Sequence, residues 1–261
     1  VNCSAVVLDL DGTLLNSEKT VSARSFEAVR DCYMRGMKII FATARPPRAV
    51  KALLPEEFIE WGSFIYYNGA YTQCRHTGID HHDPIEASLT AEVLRYCLDC
   101  EPDLDISLEI MDVWLSHKIY PEETLLKVID RPQVMPVEEL MKREATKILY
   151  SGKVNPKPLI EKFGTRLNIL VTDNGSLVQI SSTAASKENA LTRLCERLDI
   201  PLEHVAAFGD DYNDIGLFQI CGWPVAMGNA VHELKSMSKE ITDSNDQDGV
   251  ALVLERLLLE G

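Results

Sequence analysis

The sequence predicts an α/β fold: a doubly wound parallel sheet interrupted by an inserted α+β segment. Three observations lead there. Short apolar runs of strand length recur toward both ends of the chain, each followed by a helical pattern, which is the βαβ rhythm of a parallel sheet. Between about His82 and Ile180 that rhythm gives way to hairpin signals. After Ser186 it resumes, so the expected boundaries are residues 1–81 and 182–261 for a core domain and 82–181 for an inserted one.

In order, Ala5 to Leu8 reads as a strand buried on both faces, and it ends in Asp9-Leu10-Asp11-Gly12-Thr13. Side chains alternate along a strand, so Asp9 and Asp11 point the same way while the extended conformation lasts. Gly12 permits a sharp turn, and Thr13 offers a hydroxyl and an N–H nearby. Ser22 caps a helix with an apolar face of Phe26, Val29 and Tyr33, closed by Gly36. Met37 to Phe41 is the next strand, ending in Ala42-Thr43-Ala44-Arg45-Pro46, where proline suits the start of another helix. Strand, helix, strand at this spacing implies parallel pairing with a right-handed crossover. Ser63 to Tyr67 is a third strand, followed by the turn Asn68-Gly69-Ala70. His81-His82 reads as solvated linker.

Within the insert, Leu89 to Leu98 and Glu122 to Ile129 are helical, as is Pro158 to Phe163. Asp105 to Ile110 and Val113 to Lys118 form a hairpin around Met111-Asp112, Thr146 to Tyr150 is extended, and Arg166 to Thr172 pairs with Ser176 to Ile180 around Asp173-Asn174-Gly175. Then Ser186 caps a helix bearing Ala190, Leu191, Leu194, Cys195 and Leu198 on one face. Lys187 in its first turn opposes the helix dipole and needs either solvent or an anion. Val205 to Phe208 is a strand ending in Gly209-Asp210-Asp211-Tyr212-Asn213-Asp214, with a helix carrying Ile215, Leu217 and Phe218 after it. Pro224 to Met227, Ile241-Thr242 and helices around Val231–Leu234 and Gly249–Leu258 complete the pattern.

The whole chain of 261 residues is 46% hydrophobic, enough for real cores, and its 40 acidic against 26 basic residues give a formal charge of −14. That charge disfavours nucleic acid and anionic membrane surfaces as partners. No run approaches the roughly 18 apolar residues of a membrane span, and Val-Asn-Cys-Ser-Ala lacks a basic region followed by an apolar signal core. Seven scattered cysteines suit a reducing compartment, so a cytoplasmic protein is expected. Cys97-Leu98-Asp99-Cys100 has no second pair or nearby histidine at ligand spacing and reads as structural.

A polar turn could account for one strand ending in acids, but two such strands from opposite ends of the chain are harder to explain. Side by side in a parallel sheet, their carboxyl ends would gather Asp9, Asp11, Asp210 and Asp214. Carboxylates about 4 Å apart repel by roughly 4 kcal/mol per pair at an effective dielectric near 20, so the cluster calls for a cation. Oxygen ligands of this kind suit Mg²⁺, which keeps waters and commonly binds phosphate. Thr13, Thr43, turn N–H groups and Lys187 would supply donors and positive charge, and the chemistry that fits is phosphoryl transfer with an aspartate nucleophile.

Asp9-Leu10-Asp11-Gly12-Thr13, Thr43, Lys187 and Gly209-Asp210-Asp211-Tyr212-Asn213-Asp214 resemble, in order, the four motifs of the haloacid dehalogenase superfamily. The insert, Asn68-Gly69-Ala70, Ala226-Met227-Gly228-Asn229-Ala230 and Asp248-Gly249-Val250-Ala251 resemble its Cof-type branch, subclass IIB, along essentially the entire chain. The resemblance implies a Rossmann-like core with a type B (C2) α+β cap and a Mg²⁺-dependent phosphatase of small phosphorylated metabolites, sugar phosphates among them. It also implies roles. Asp9 would be nucleophile and metal ligand, and Asp11 the acid and base, its carbonyl also on the metal. Asp210 would be a further metal ligand, with Asp214 behind it or acting through water. Gly12, Thr13, Thr43, Ala44, Lys187 and Asn213 would surround the phosphoryl group, while Arg45, Asn68 and Gly69 are candidates for substrate contact.

Two departures from that pattern stand out. Ala44 replaces the branch's usual glycine, tolerable unless the position needs positive φ, and Thr183-Ala184-Ala185 replaces the commoner lead into Ser-Lys. Two other functions remain open at this stage: a phosphomutase, since phosphomannomutases share the Asp-x-Asp-Gly-Thr start, and a non-catalytic metabolite-binding module. Glu109, Trp114, His117 and Lys118 are insert residues that could face a substrate, and oligomeric state is not readable.

Overall fold

The computed structural model describes residues 3–120, 130–151, 155–172 and 176–260. The helix expected over 122–129 and the turn at 173–175 lie outside these. The chain divides into two compact units, residues 1–81 with 186–261, and residues 82–185.

The first unit is built on an eight-stranded sheet. Strand β1 (Ala5–Leu8) is central because all four of its side chains are wholly buried. It pairs in parallel with β2 (Lys38–Ala42) on one side and with β12 (Val205–Gly209) on the other. β3 (Ser63–Tyr66) continues outward from β2, and β13 (Trp223–Ala226) and β14 (Glu240–Ile241) from β12, all in parallel. Two short strands, β4 (Tyr71–Cys74) and β5 (Ile79–His82), extend the β3 side, with β4 antiparallel to β3. The chain thus winds away from β1 in both directions, and the point of reversal lies between β1 and β12. In open α/β sheets ligands bind outside the carboxyl ends of the strands at this point.

Helix α1 (Ala23–Met34) starts where expected, Ser22 accepting a hydrogen bond from the Ser25 N–H at 3.1 Å. Ala28, Val29 and Cys32 are buried, while the half-buried rings of Phe26 and Tyr33 stack on Phe58 (5.2 Å) and Trp61 (4.7 Å). His81-His82 falls where the two units divide, and its backbone there is a strand rather than a loop. Both residues end the edge strand β5, and His82 Nε2 lies 2.8 Å from Thr146 Oγ1. A half-exposed edge strand has no continuous apolar run to announce it.

The second unit has a six-stranded sheet in the order β10-β11-β9-β6-β7-β8. β6 (Asp105–Ile110) and β7 (Val113–Ser116) form a hairpin that turns at Met111, whose φ of 55° is what a two-residue turn of this hand demands. β9 (Lys147–Ser151) is antiparallel to β6, and β10 (Leu167–Thr172) to β11 (Leu177–Ser182); β8 (Gln133–Val134) runs parallel to β7. One face supplies Ile106, Leu108, Leu115, Ile148, Tyr150, Val178 and Ile180 to a core with Val93, Leu94, Cys97 and Phe163 from helices. Alternation puts Ser107, Glu109, Lys147 and Gln179 on the other face. Lys147 donates to Gln179 Oε1 at 2.9 Å, and burial pushes its ammonium down to about 8 although Glu109 stands opposite. His117 Nδ1 sits 3.0 Å from the Ile106 carbonyl and Lys118 bonds Asp105, so these two brace the hairpin. Cys97 is buried and Cys100 exposed, both with free thiols. Among the described residues no helix is long and apolar enough to cross a membrane.

Candidate active site

Adjacent strands carry the two acid segments to one place. β1 delivers Asp9 and β12 delivers Asp210, while a one-turn helix at Tyr212–Asp214 brings Asp214 back beneath them. Oxygens of Asp9, Asp210 and Asp214 lie within 4.8 Å of one another. The local sequence explains the tight return: Asp211 and Asp214 form a capping box, and Asp214 Oδ2 accepts from the Asp210 N–H at 3.1 Å. Gly209 leaves room for the Asp214 carboxylate, whose Cγ lies 2.6 Å from where a Cβ would stand.

Lys187 answers the puzzle of a cation at a helix N-terminus. Its side chain is buried, and Nζ donates to Asp9 Oδ1 at 2.6 Å and to Asp214 Oδ1 at 2.7 Å. Burial works against its charge, but the two carboxylates outweigh burial and hold its affinity for the proton above that of a free lysine. Burial pushes Asp9 well up, against the pull of Lys187, with Asp214 and Asp210 adding to the rise. Asp210 rises to about 6, from burial and then from Asp214. Three carboxylates thus share one ammonium, a deficit of positive charge in an all-oxygen site. A divalent cation is chemically suited to fill it.

Asp11 goes elsewhere. Its carboxylate receives Arg45 Nε at 2.6 Å and Nη2 at 2.7 Å, with Lys19 Nζ at 2.8 Å. Burial would raise it, yet these two cations hold it below the usual carboxylate range. It therefore has no carboxylate oxygen in the three-acid cluster, and only its backbone carbonyl is left for the metal role the resemblance implies. Arg45, a candidate for substrate contact, pairs with Asp11. Lys19 was not foreseen; it sits in the turn after the motif with φ 61°, a conformation uncommon for lysine.

Thr13 lies in the same turn and bonds within it and to the acids. Its hydroxyl donates to Asp210 Oδ1 at 3.1 Å, in the acid cluster, and its N–H closes the turn on the Leu10 carbonyl at 3.3 Å. Thr43 is buried, its Oγ1 accepting from the Arg45 N–H at 3.2 Å, which leaves the hydroxyl proton for an outside acceptor. Ala44 is not among the residues with positive φ, so its methyl brings no backbone strain. Asn213 Nδ2 donates to Asn68 Oδ1 at 3.1 Å, and Gly69 packs against Ser186. Gly12 has φ 79° and lies against the Asp210 carboxylate, where a Cβ has no space. Gly12→Ala is therefore expected to combine backbone strain of about 1–3 kcal/mol with displacement of Asp210. A melting temperature lower by about 5 °C, together with lost catalysis, is the expected reading; an unchanged protein would mean the turn is not fixed.

A mostly parallel sheet with a buried acidic centre at its point of reversal, together with an inserted α+β unit, defines a doubly wound α/β protein with a second, inserted domain. The chain belongs to the haloacid dehalogenase-like hydrolases, whose family model matches residues 6–254. Among curated relatives, 5-amino-6-(5-phospho-D-ribitylamino)uracil phosphatase YitU of Bacillus subtilis is 25% identical over 263 residues, 96% of each chain. Phosphatase YwpJ of the same organism is 28% identical over 291 residues, 97% of this chain and 99% of that one. The crystal structure of TM0651 from Thermotoga maritima matches with a TM-score of 0.87 at 26% identity, covering 97% of each chain. The subclass IIB sugar phosphatase BT4131 shares the fold, with a TM-score of 0.78 at 20% identity over 97% of this chain and 98% of that one. The protein is a phosphatase of this family.

Proposed function

We propose that this phosphatase hydrolyses small phosphorylated metabolites through a phosphoryl group carried on Asp9, with Mg²⁺ as cofactor. The observation that supports it most is the placement of a buried aspartate against a buried ammonium and two further carboxylates at the sheet's point of reversal.

Lys187 holds Asp9 Oδ1, which leaves Oδ2 as the oxygen that attacks phosphorus. The new bond forms as the ester P–O bond breaks, and the leaving oxygen takes a proton from Asp11. Asp11 then takes a proton from water, whose oxygen attacks the phosphorus; the bond to Asp9 breaks, inorganic phosphate leaves, and both residues are restored. The ion-paired form of Asp11 is the resting one; before the first step it must part from Arg45 and Lys19 and take up a proton from solvent, which the water of the second step then replaces. Lys187, the Thr43 hydroxyl, Asn213 and the backbone around Gly12 and Ala44 are the donors assigned to the phosphoryl oxygens. Asp9, Asp210 and the Asp11 carbonyl would hold the cation, with Thr13 and Asp214 fixing Asp210. The cation supplies charge neutralisation between carboxylates and phosphoryl oxygens.

The inserted unit is assigned the choice of leaving group, and Glu109 and Trp114 on its polar sheet face are the residues most suited to it. Seven free cysteines support a cytoplasmic setting. The test is phosphate release from sugar phosphates, nucleotides, pyridoxal phosphate and 5-amino-6-(5-phospho-D-ribitylamino)uracil, with Mg²⁺ and after chelation. Release that stops on chelation and returns with Mg²⁺ is expected. Activity persisting without metal would sink the cation assignment, and isomerised sugar phosphate without free phosphate would make the protein a mutase.

A further inference from the structure

Tyr67, Asn68 and Gly69 have φ values of 51°, 54° and 104° in succession, a left-handed run in which only the last residue is glycine. Such backbone persists where its surroundings over-determine it. Four holds do so here, each reaching a different part of the site. The Asn68 N–H donates to the Thr43 carbonyl at 2.8 Å, and the Tyr67 N–H to the Arg45 carbonyl at 3.3 Å. Gly69 lies so close to Ser186, the cap residue just before Lys187, that a Cβ would collide with the Ser186 backbone. The Asn68 side-chain carbonyl accepts from Asn213 Nδ2 at 3.1 Å. All of these residues belong to the unit of residues 1–81 and 186–261.

We propose that Asn68 is a positioning residue for the two phosphate-binding loops: its side chain orients the Asn213 amide, its backbone holds Thr43, and it does not itself bind the phosphoryl group. The inference rests on the reading of Thr43 and Asn213 as phosphate ligands. The residue type fits the task. A left-handed position is tolerated by glycine, which has no side chain, and by asparagine, whose side chain offers a carbonyl to an amide donor. With one N–H of Asn213 committed to Asn68, the amide plane is set and the other N–H has one direction to point. An amide free to rotate would have to be ordered at each binding event, which weakens binding.

Three variants separate the contributions. Asn68→Gly keeps the left-handed backbone and removes only the amide, Asn68→Ala removes the amide and strains the backbone, and Asn213→Ala removes the partner. The probe is inorganic phosphate, titrated by calorimetry into the 261-residue protein with Mg²⁺. Asn68→Gly is expected to raise the Kd for phosphate about 10-fold while Tm stays within about 2 °C of wild type. Asn68→Ala should show the same Kd at a lower Tm. The double variant N68G/N213A should bind no more weakly than N213A alone, because the first residue acts through the second. An Asn68→Gly protein that binds phosphate as wild type does overturns the proposal. So does a double variant whose loss is the product of the single losses, which would make Asn68 a ligand in its own right. Wild-type protein that binds no phosphate and releases none removes the functional reading and this inference with it, whereas failure in the variants alone removes only the inference.

Discussion

Asp9→Asn is expected to cut phosphate release by about 10⁴-fold or more while leaving the fold intact, because the change removes the nucleophile and one charged oxygen ligand of the proposed cation without changing the shape of the side chain. The amide has the volume of the carboxylate, and Lys187 keeps Asp214 at 2.7 Å. One of three crowded carboxylates is also neutralised, and burial had already raised the Asp9 carboxyl toward its neutral form. Melting temperature should therefore hold or rise. Wild-type protein quenched in acid during turnover should carry one phosphoryl group, located to the peptide containing Asp9 by mass spectrometry, and the variant should carry none. Hydrolysis surviving the substitution would show that another group attacks phosphorus.

Lys187→Met should damage activity and stability together, which sets it apart from Asp9→Asn. Methionine keeps the length of the side chain but leaves the buried Asp9 and Asp214 carboxylates facing each other without a cation. Breaking a buried pair by removing one partner costs about 3–5 kcal/mol, or about 10 °C in Tm for a chain of this size. Loss of a donor aimed at the phosphoryl group adds a fall in kcat of about 10²–10³-fold. The double variant D9N/K187M removes charge from both sides and should melt above K187M alone. If K187M melts like wild type, the ammonium is not bracing the acids.

What the sequence made legible followed from patterns that need no distances. Two apolar runs ending in acids implied neighbouring strands, which the pairing of β1 with β12 supplies, and Lys187 at a helix N-terminus called for either solvent or an anion, of which the fold provides the anion. Hydrogen-bond partners were not legible. Thr13 stands one residue after Gly12 whether its hydroxyl faces a ligand or Asp210, and only the fold sends it to Asp210. Lys19 reads as an ordinary solvated turn residue, and its φ and its bond to Asp11 appear only in three dimensions. The edge strand β5 escaped because a half-exposed strand mixes Asp and His into the run that marks a buried one, and β4, though mostly buried, is only four residues long and carries Thr72 and Gln73.

The pairing of β1 with β12 also bears on the order in which the molecule can assemble. Residues 82–185 are contiguous and have their own hydrophobic cluster, so this unit has all its parts as soon as it has been synthesised. The sheet around β1 has no such independence: Val6 pairs with Ala206 and Leu8 with Phe208 only after the intervening chain has emerged. Closing so long a loop before its contacts form is entropically costly and slows folding. During that interval the wholly apolar β1 has one unpaired edge, the condition that invites aggregation of nascent chains. A released fragment ending before Val205 should therefore hold a protease-resistant inserted unit next to a labile amino-terminal segment, with catalysis arriving only with the last quarter of the chain.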